Sequence, residues 1–222
     1  MPTKSDTLKN SRLTVILSPQ DASRLGLSLS EIARQAVRGG ADVIQLRDKL
    51  SDDDSLLEEA QTLGGEVRGL GALFIVNDRP RVARLAGADG VHLGQDDLPH
   101  AEARKLLGPD FLIGRSTHSL AQALAAQAEG ADYIGYGPVF RTPTKPDYPA
   151  VGPQSIAEIA RAVVIPFFAI GGIDVLAIES IAKEGARRVA VVRAAVETPN
   201  VFESVRRLKR ELLKHDAFHP VT

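Results

Sequence analysis

Gly40-Ala41-Asp42-Val43-Ile44-Gln45-Leu46-Arg47-Asp48-Lys49 is the fullest of four related stretches in this chain. The others are Gly87-Ala88-Asp89 before Gly90-Val91, Gly130-Ala131-Asp132 before Tyr133-Ile134, and Gly185-Ala186-Arg187 before Val189-Ala190-Val191. A helix-ending glycine, an alanine, usually an aspartate and a short apolar run together make one helix-to-strand joint. The copies recur about two βα units apart, which marks every second strand of a (β/α)8 TIM barrel in a single domain. Each run also ends in polar residues: Gln45 to Lys49 after the first, His92 to Asp97 after the second, a Thr/Lys loop after the third and Val192-Arg193 after the fourth. Active sites of this fold lie at the C-terminal strand ends, so these tails are where chemistry is expected.

Working outward, residues 13–17 read as the first strand, and Ser28 or Ser30 caps a helix that runs to Gly39. Strand two is 42–46. The next helix opens at Ser51 with Asp52, Asp53 and Asp54 in its first turn, where carboxylates offset the helix dipole rather than hold a cation. Its glycine-rich tail is expected to fray before strand three at 73–76. Further strands are expected at 90–93, 111–114, 133–136, 166–170 and 189–192. A last helix opens at Pro199, with Val201, Val205, Leu208 and Leu212 on one face. Residues 1–12 read as a polar N-terminal extension, 13–215 as the barrel and 216–222 as a tail.

With 222 residues the chain is slightly shorter than the ~250 typical of this barrel. A formal net charge of -1 favours neither nucleic acid nor an anionic membrane. The basic residues of the last helix, Arg206, Arg207, Lys209, Arg210 and Lys214, read as a solvated face. There is no cysteine, hence no disulfide framework and no thiolate site. No signal-peptide core opens the chain, and the longest apolar stretch, 163–173, contains Pro166 and two glycines and is too short for a membrane helix. These features predict a soluble cytoplasmic protein, and any homo-oligomer contact would use the outer helices.

Strand periodicity sharpens the first tail. If Val43 points into the barrel, so do Gln45 and Arg47, while Ile44 and Leu46 pack outward. An arginine at the barrel mouth needs an anion; Asp48 is one partner available to it. The other is a ligand, because Arg47 and Lys49 bring a donor fork and a point charge to one place, as a diphosphate requires. Asn77-Asp78 ends strand three and Asp97 follows strand four, so adjacent strands bring two carboxylates together. Hard oxygen donors in that number suit Mg2+, which takes phosphate oxygens and waters for the rest of its shell. A helix cap near Arg81 and a turn before Pro99 are the competing uses of these aspartates. Without clustered His or Cys, zinc is disfavoured. A second anion site is suggested by Gly171-Gly172 after strand seven and Val192-Arg193 after strand eight, although a Gly-Gly pair also makes a tight turn. The 137–152 loop contains Pro138, Pro143, Pro146 and Pro149, exceeds the ~2–6 residues usual for a βα connection, and reads as a lid.

Taken together and in order, Gln45-Leu46-Arg47-Asp48-Lys49, Asn77-Asp78, Gly90 to Asp97, Ser116-Thr117-His118, Gly137 to Lys145 and Ala169 to Ile173 resemble the thiamine-phosphate synthase family. The resemblance runs from Gln45 to about Ala195. It implies a transferase that joins hydroxymethylpyrimidine diphosphate to thiazole phosphate with Mg2+, releasing diphosphate by a dissociative substitution. By motif, Gln45, Arg47, Lys49, Asn77, Ser116 and Lys145 would hold the pyrimidine diphosphate, with Asp78 and Asp97 on the metal. Thr142, Thr144 and the amides of Gly172, Val192 and Arg193 would hold the thiazole phosphate. Arg47, Lys49 and Lys145 would neutralise the leaving group. Two departures stand out: Arg193 replaces a small hydroxyl residue, and the first strand ends in Leu17-Ser18-Pro19-Gln20. A related tautomerase family uses a histidine near His118, so a thiazole tautomerase is one alternative, and a non-catalytic phosphate-binding regulator is another. His118 itself reads as a residue that supports the site from behind or starts a helix, and His92 as part of the strand-four turn.

Overall fold

A computed structural model describes residues 2–142, 149–198 and 200–215. Eight parallel strands close into a barrel in sequence order: β1 (Leu13–Leu17), β2 (Val43–Leu46), β3 (Leu73–Asn77), β4 (Gly90–Leu93), β5 (Leu112–Thr117), β6 (Tyr133–Tyr136), β7 (Phe167–Ile170) and β8 (Val189–Val191). In chain order the helices are α1 (Lys4–Asn10), α2 (Pro19–Leu25), α3 (Leu29–Gly39), α4 (Asp53–Gly69), α5 (Pro80–Leu85), α6 (His100–Leu107), α7 (Leu120–Ala128), α8 (Ile156–Ala162), α9 (Ile178–Lys183), α10 (Arg193–Val196) and α11 (Val201–Lys214). Alternation along each strand divides the core in two. Val43, Ile75, Tyr133 and Phe168 fill the barrel, whereas Ile44, Leu46, Phe74 and Ile134 pack against helices.

The fourfold repeat is a joint built the same way each time. Gly40, Gly87, Gly130 and Gly185 all have left-handed φ, between 62° and 108°. The following alanine amide reaches back to a carbonyl of the helix: Ala41 to Ala36, Ala88 to Ala83, Ala131 to Ala126 and Ala186 to Ile181, each at 3.0 Å. This is the bond pattern of a Schellman helix end. In the first three copies the aspartate then receives amides that open the preceding odd strand. Asp42 Oδ2 accepts from Arg12 and Leu13, Asp89 Oδ2 from Phe74 and Asp132 Oδ2 from Ile113. Each carboxylate also takes a cation, Lys209, Lys4 and Arg104 respectively. Arg187 of the fourth copy donates instead to the carbonyls of Ala182 and Ala186. The repeat therefore secures the N-terminal end of the barrel. Asp89→Ala, which strips a partner from the buried Phe74 amide, is expected to lower unfolding free energy by about 2 kcal/mol in urea melts. Arg187→Ala should change it by less than about 0.5 kcal/mol.

Three local expectations change. Residues 4–10, expected within a polar extension, form α1, capped by a reciprocal Thr3/Asp6 box, and its buried Leu8 joins the inner barrel cluster. Helix α4 does not fray but continues through Gly64 and Gly65 to Gly69. A Cβ on Gly64 would lie 2.7 Å from the Phe74 ring, so this glycine serves close helix-to-strand packing. Strand β5 runs on past Gly114 to Thr117, whose hydroxyl donates to Gly135 O at 3.1 Å. The polar end of β1 is also accounted for: Ser18 caps α2 in a reciprocal box with Asp21.

Candidate active site

A cavity of about 800 Å3 opens at the C-terminal strand ends. It is lined by Gln45, Arg47, Lys49, Asn77, Asp78, Asp97, Ser116, Thr142, Gly172, Val192 and Arg193, so residues expected at the site from seven strands and the loops that follow them meet in one place. Thr144 and Lys145 lie outside the described residues.

Gln45 and Arg47 share the inward face of β2 with Val43, as alternation requires. Among the described residues the Arg47 guanidinium has no carboxylate partner. Its neighbour Asp48 turns away, accepting the amides of Leu50 at 2.9 Å and Ser51 at 3.2 Å. Burial pushes the Asp48 carboxyl up, but its bonds to Ser51 and Leu50 outweigh that and hold it below the ordinary range. An ion pair between Arg47 and Asp48 is thus not how this chain satisfies the arginine. The aspartate run, by contrast, does cap a helix: Asp52 accepts the Ser55 amide at 2.8 Å, and Asp53 pairs with Arg79.

Asp78 is the only non-glycine residue among those described with positive φ, at 64°. Aspartate tolerates this left-handed conformation better than most side chains. Its amide donates to His92 O at 2.8 Å, and its carboxylate pairs with Lys49. The cap position of α5 is Arg79, which makes no side-chain cap bond, so Asp78 is not spent on helix capping. Asp97 does serve its turn, accepting the Gly94 amide at 2.6 Å. Burial, then the hydrogen bond and charge of Asp78, push the Asp97 carboxyl up against the opposing pull of Gly94 and Lys49. Two carboxylates crowded in this way are stabilised by a divalent cation. Among the described residues no three His, Cys, Asp or Glu side chains cluster as a ready-made metal site. The pair therefore fits an ion that draws most of its shell from a bound ligand and water, as Mg2+ does.

On the opposite side of the cavity, Gly171 and Gly172 have left-handed φ of 99° and 66°. Close approach explains both. A Cβ on Gly171 would sit 2.5 Å from Pro138, and one on Gly172 would sit 2.7 Å from Phe140 and 2.8 Å from Arg141 O. The Val139 amide donates to Ile170 O and the Phe140 amide to Gly171 O, so the stem of the long loop continues the edge of β7. Beside this turn lie Val192 and Arg193 at the start of α10, with Arg193 facing Glu197 at 3.7 Å. Glu197, Thr198 and Ser204 also line this end and were not anticipated. Nothing in the repeat pattern points to residues of a terminal helix.

Both histidines near the site have structural partners. His118 Nδ1 bonds to Gly137 O, and the His118 amide donates to Gln122 Oε1 at 2.7 Å, which places it at the start of α7. His92 departs from its expected place in a turn. It is buried on the inner face of β4, with Nε2 2.9 Å from Ser116 Oγ and Nδ1 3.2 Å from Tyr133 OH. Alternation could have found it, because Val91 and Leu93 on either side pack outward. Gln95 was also missed; its amide donates to Ser116 O at 2.5 Å.

Comparison with known proteins gives one answer. The thiamine monophosphate synthase family model matches residues 13–195. A thiamine-phosphate synthase of Synechococcus sp. (strain CC9311) is 45% identical over 94% of this chain and 59% of its own length. One from Methanoculleus marisnigri (strain ATCC 35101 / DSM 1498 / JR1) is 47% identical over 83% of this chain and 88% of its own. The chain thus spans little more than half of several cyanobacterial relatives it matches. In three dimensions a thiamine phosphate pyrophosphorylase from Pyrococcus furiosus superposes with a TM-score of 0.85 at 34% identity, covering 95% of this chain and 98% of that one. With the barrel, the cavity and the match in agreement, the chain belongs to the thiamine monophosphate synthase family.

Proposed function

We propose that this protein joins hydroxymethylpyrimidine diphosphate to thiazole phosphate, giving thiamine phosphate and diphosphate. The observation that carries this reading is Arg47, a cation without a carboxylate partner among the described residues, beside Lys49 and the crowded pair Asp78 and Asp97. A diphosphate would supply the anion that Arg47 lacks, and its counter-ion would relieve the crowding of two carboxylates that have Lys49 between them. When bound, Mg2+ held by Asp78 and Asp97 would offset charge on the leaving diphosphate. Arg47, Lys49 and Lys145 would hold the same oxygens, and Gln45, Asn77 and Ser116 would orient the pyrimidine. Thr142, Thr144 and the amides of Gly172, Val192 and Arg193 would place the thiazole phosphate.

In this reading the substitution is dissociative. The C–O bond to diphosphate breaks first, taking its electron pair with the leaving group, and the electron-rich pyrimidine carries the positive charge. The thiazole nitrogen lone pair then forms the new C–N bond. No protein nucleophile takes part, so the chain's contribution is charge neutralisation and alignment of two substrates in a closed site. A cytoplasmic setting accords with this chemistry; among the described residues no helix is long and apolar enough to cross a membrane.

Incubation of the protein with both substrates and Mg2+ tests the reading, with thiamine phosphate and diphosphate formed in equal amounts as the expected result. Aromatisation of a thiazole carboxylate phosphate without coupling would instead identify a tautomerase. Phosphate binding that survives Asp78→Ala, with no product from either reaction, would identify a regulator.

A further inference from the structure

We propose that Tyr133 is a positioning residue: through His92 it fixes the direction in which Ser116 presents its hydroxyl to the pyrimidine diphosphate. This rests on the reading of Ser116 given above. The geometry behind it is a row across three strands. His92 on β4 pairs in register with Gly114 on β5, which pairs in turn with Tyr133 on β6. Because Gly114 has no side chain, the phenol can cross β5; a Cβ there would lie 2.1 Å from the Tyr133 ring. Gly135 plays the matching part for His92, since a Cβ at that position would come within 3.3 Å of the imidazole. Along the row hydrogen bonds link Tyr133 OH with His92 Nδ1 and His92 Nε2 with Ser116 Oγ.

Its direction follows from the enclosure of Tyr133: among the described residues its hydroxyl has His92 Nδ1 as its hydrogen-bond partner, and a phenol that accepted from Nδ1–H would bury its own proton without an acceptor. Tyr133 is wholly enclosed, stacked edge-on against Phe168 with ring centroids 5.8 Å apart, and burial pushes its phenol up, so it remains a neutral hydroxyl. A phenol proton donated to Nδ1 makes that nitrogen the acceptor of a neutral imidazole and leaves the proton on Nε2. Nε2–H then donates to Ser116 Oγ, and the serine proton is free to be donated into the cavity. For an anionic ligand this is the useful polarity. The opposite tautomer would turn the serine proton back onto the histidine and present a lone pair to a diphosphate oxygen. Gln95, donating to the Ser116 carbonyl, holds the backbone of the same residue.

Tyr133→Phe keeps the ring and its packing and removes only the hydroxyl. Nitrogen-15 spectra, assigned with His92→Gln, should show the Nε2–H tautomer in the parent protein and a mixture of tautomers in Tyr133→Phe. Michaelis constants for pyrimidine diphosphate should rise about tenfold in Tyr133→Phe, those for thiazole phosphate should stay level, and the effect should vanish in a Ser116→Ala background. A parent protein with its proton on Nδ1 overturns the proposal, as does equal weakening of both substrates or an undiminished loss beside Ser116→Ala. The tautomer of the intact parent protein decides the matter even if Tyr133→Phe does not fold. It also separates the two readings, because an Nε2–H tautomer in a protein that makes no thiamine phosphate upholds the relay and removes the assigned activity.

Discussion

Asp97→Asn is expected to give a metal-free protein that melts higher at pH 7 and an enzyme that turns over at least about a hundredfold more slowly with Mg2+. The two effects have one cause. Burial and the neighbouring Asp78 raise the Asp97 carboxyl above its ordinary 3.8. The folded protein thus binds that proton more tightly than the unfolded chain does. The resulting stability is fully present below 3.8, is lost as pH rises through the folded value, and is absent at pH 7. Asparagine removes the charge but keeps an oxygen for the Gly94 amide, so the cost disappears while the turn survives. The melting difference between variant and parent should therefore be largest near neutrality and should close as pH falls towards 4. Mg2+ with diphosphate should raise the melting temperature of the parent and leave the variant unmoved. A variant that melts lower at every pH would show that Asp97 is held for its turn alone.

That trade between stability and charge is confined to one end of the molecule. At the N-terminal strand ends Asp42, Asp89 and Asp132 each accept strand-opening amides and face a cation, so their charges are used internally. At the C-terminal ends Arg47 has no carboxylate partner among the described residues, and Asp78 and Asp97 crowd each other beside the single cation Lys49. Similar side chains thus serve as fasteners at one end and, in the proposed reading, as a ligand site at the other. What differs is whether the strand geometry has already satisfied them.

Much of this was legible in the sequence because it depends on spacing along one segment. Alternation alone placed Gln45 and Arg47 on the inner face, and the glycine-alanine joint located the even strands. Features that depend on two segments meeting were not legible. Leu8 is a single apolar residue in α1, too little for a periodic signal, and it is buried only because a barrel floor exists to receive it. Gly64 looked like a weak point in a helix and is in fact the place where Phe74 comes close. The left-handed φ of Asp78 leaves no mark in composition. The row from His92 through Gly114 to Tyr133 requires the register of three strands, which the order of residues within each strand does not contain.

Arg47→Ala should lower turnover by about a hundred- to a thousandfold, because a preorganised cation on a leaving group is worth most when the C–O bond is nearly broken. Lys145→Ala, which removes another cation proposed to hold the leaving group, should behave alike. Thiazole phosphate binding, measured directly by calorimetry, should change by less than about twofold in either variant, since the proposed second anion site, at Gly172, Val192 and Arg193, is across the cavity. Arg193→Ser provides the reverse case. If its guanidinium leaves Glu197 for the bound phosphate, thiazole phosphate should weaken by about tenfold while the constants for pyrimidine diphosphate hold. If the backbone amide makes the whole contact, the substitution should be silent on both. Arg47→Lys refines the first result: a retained charge without the fork should recover part of the turnover, because a diphosphate is gripped by geometry as well as by attraction. Equal losses on both substrates from Arg47→Ala would mean that the two anion sites are one, and the assignment of the cavity's two ends would have to be redrawn.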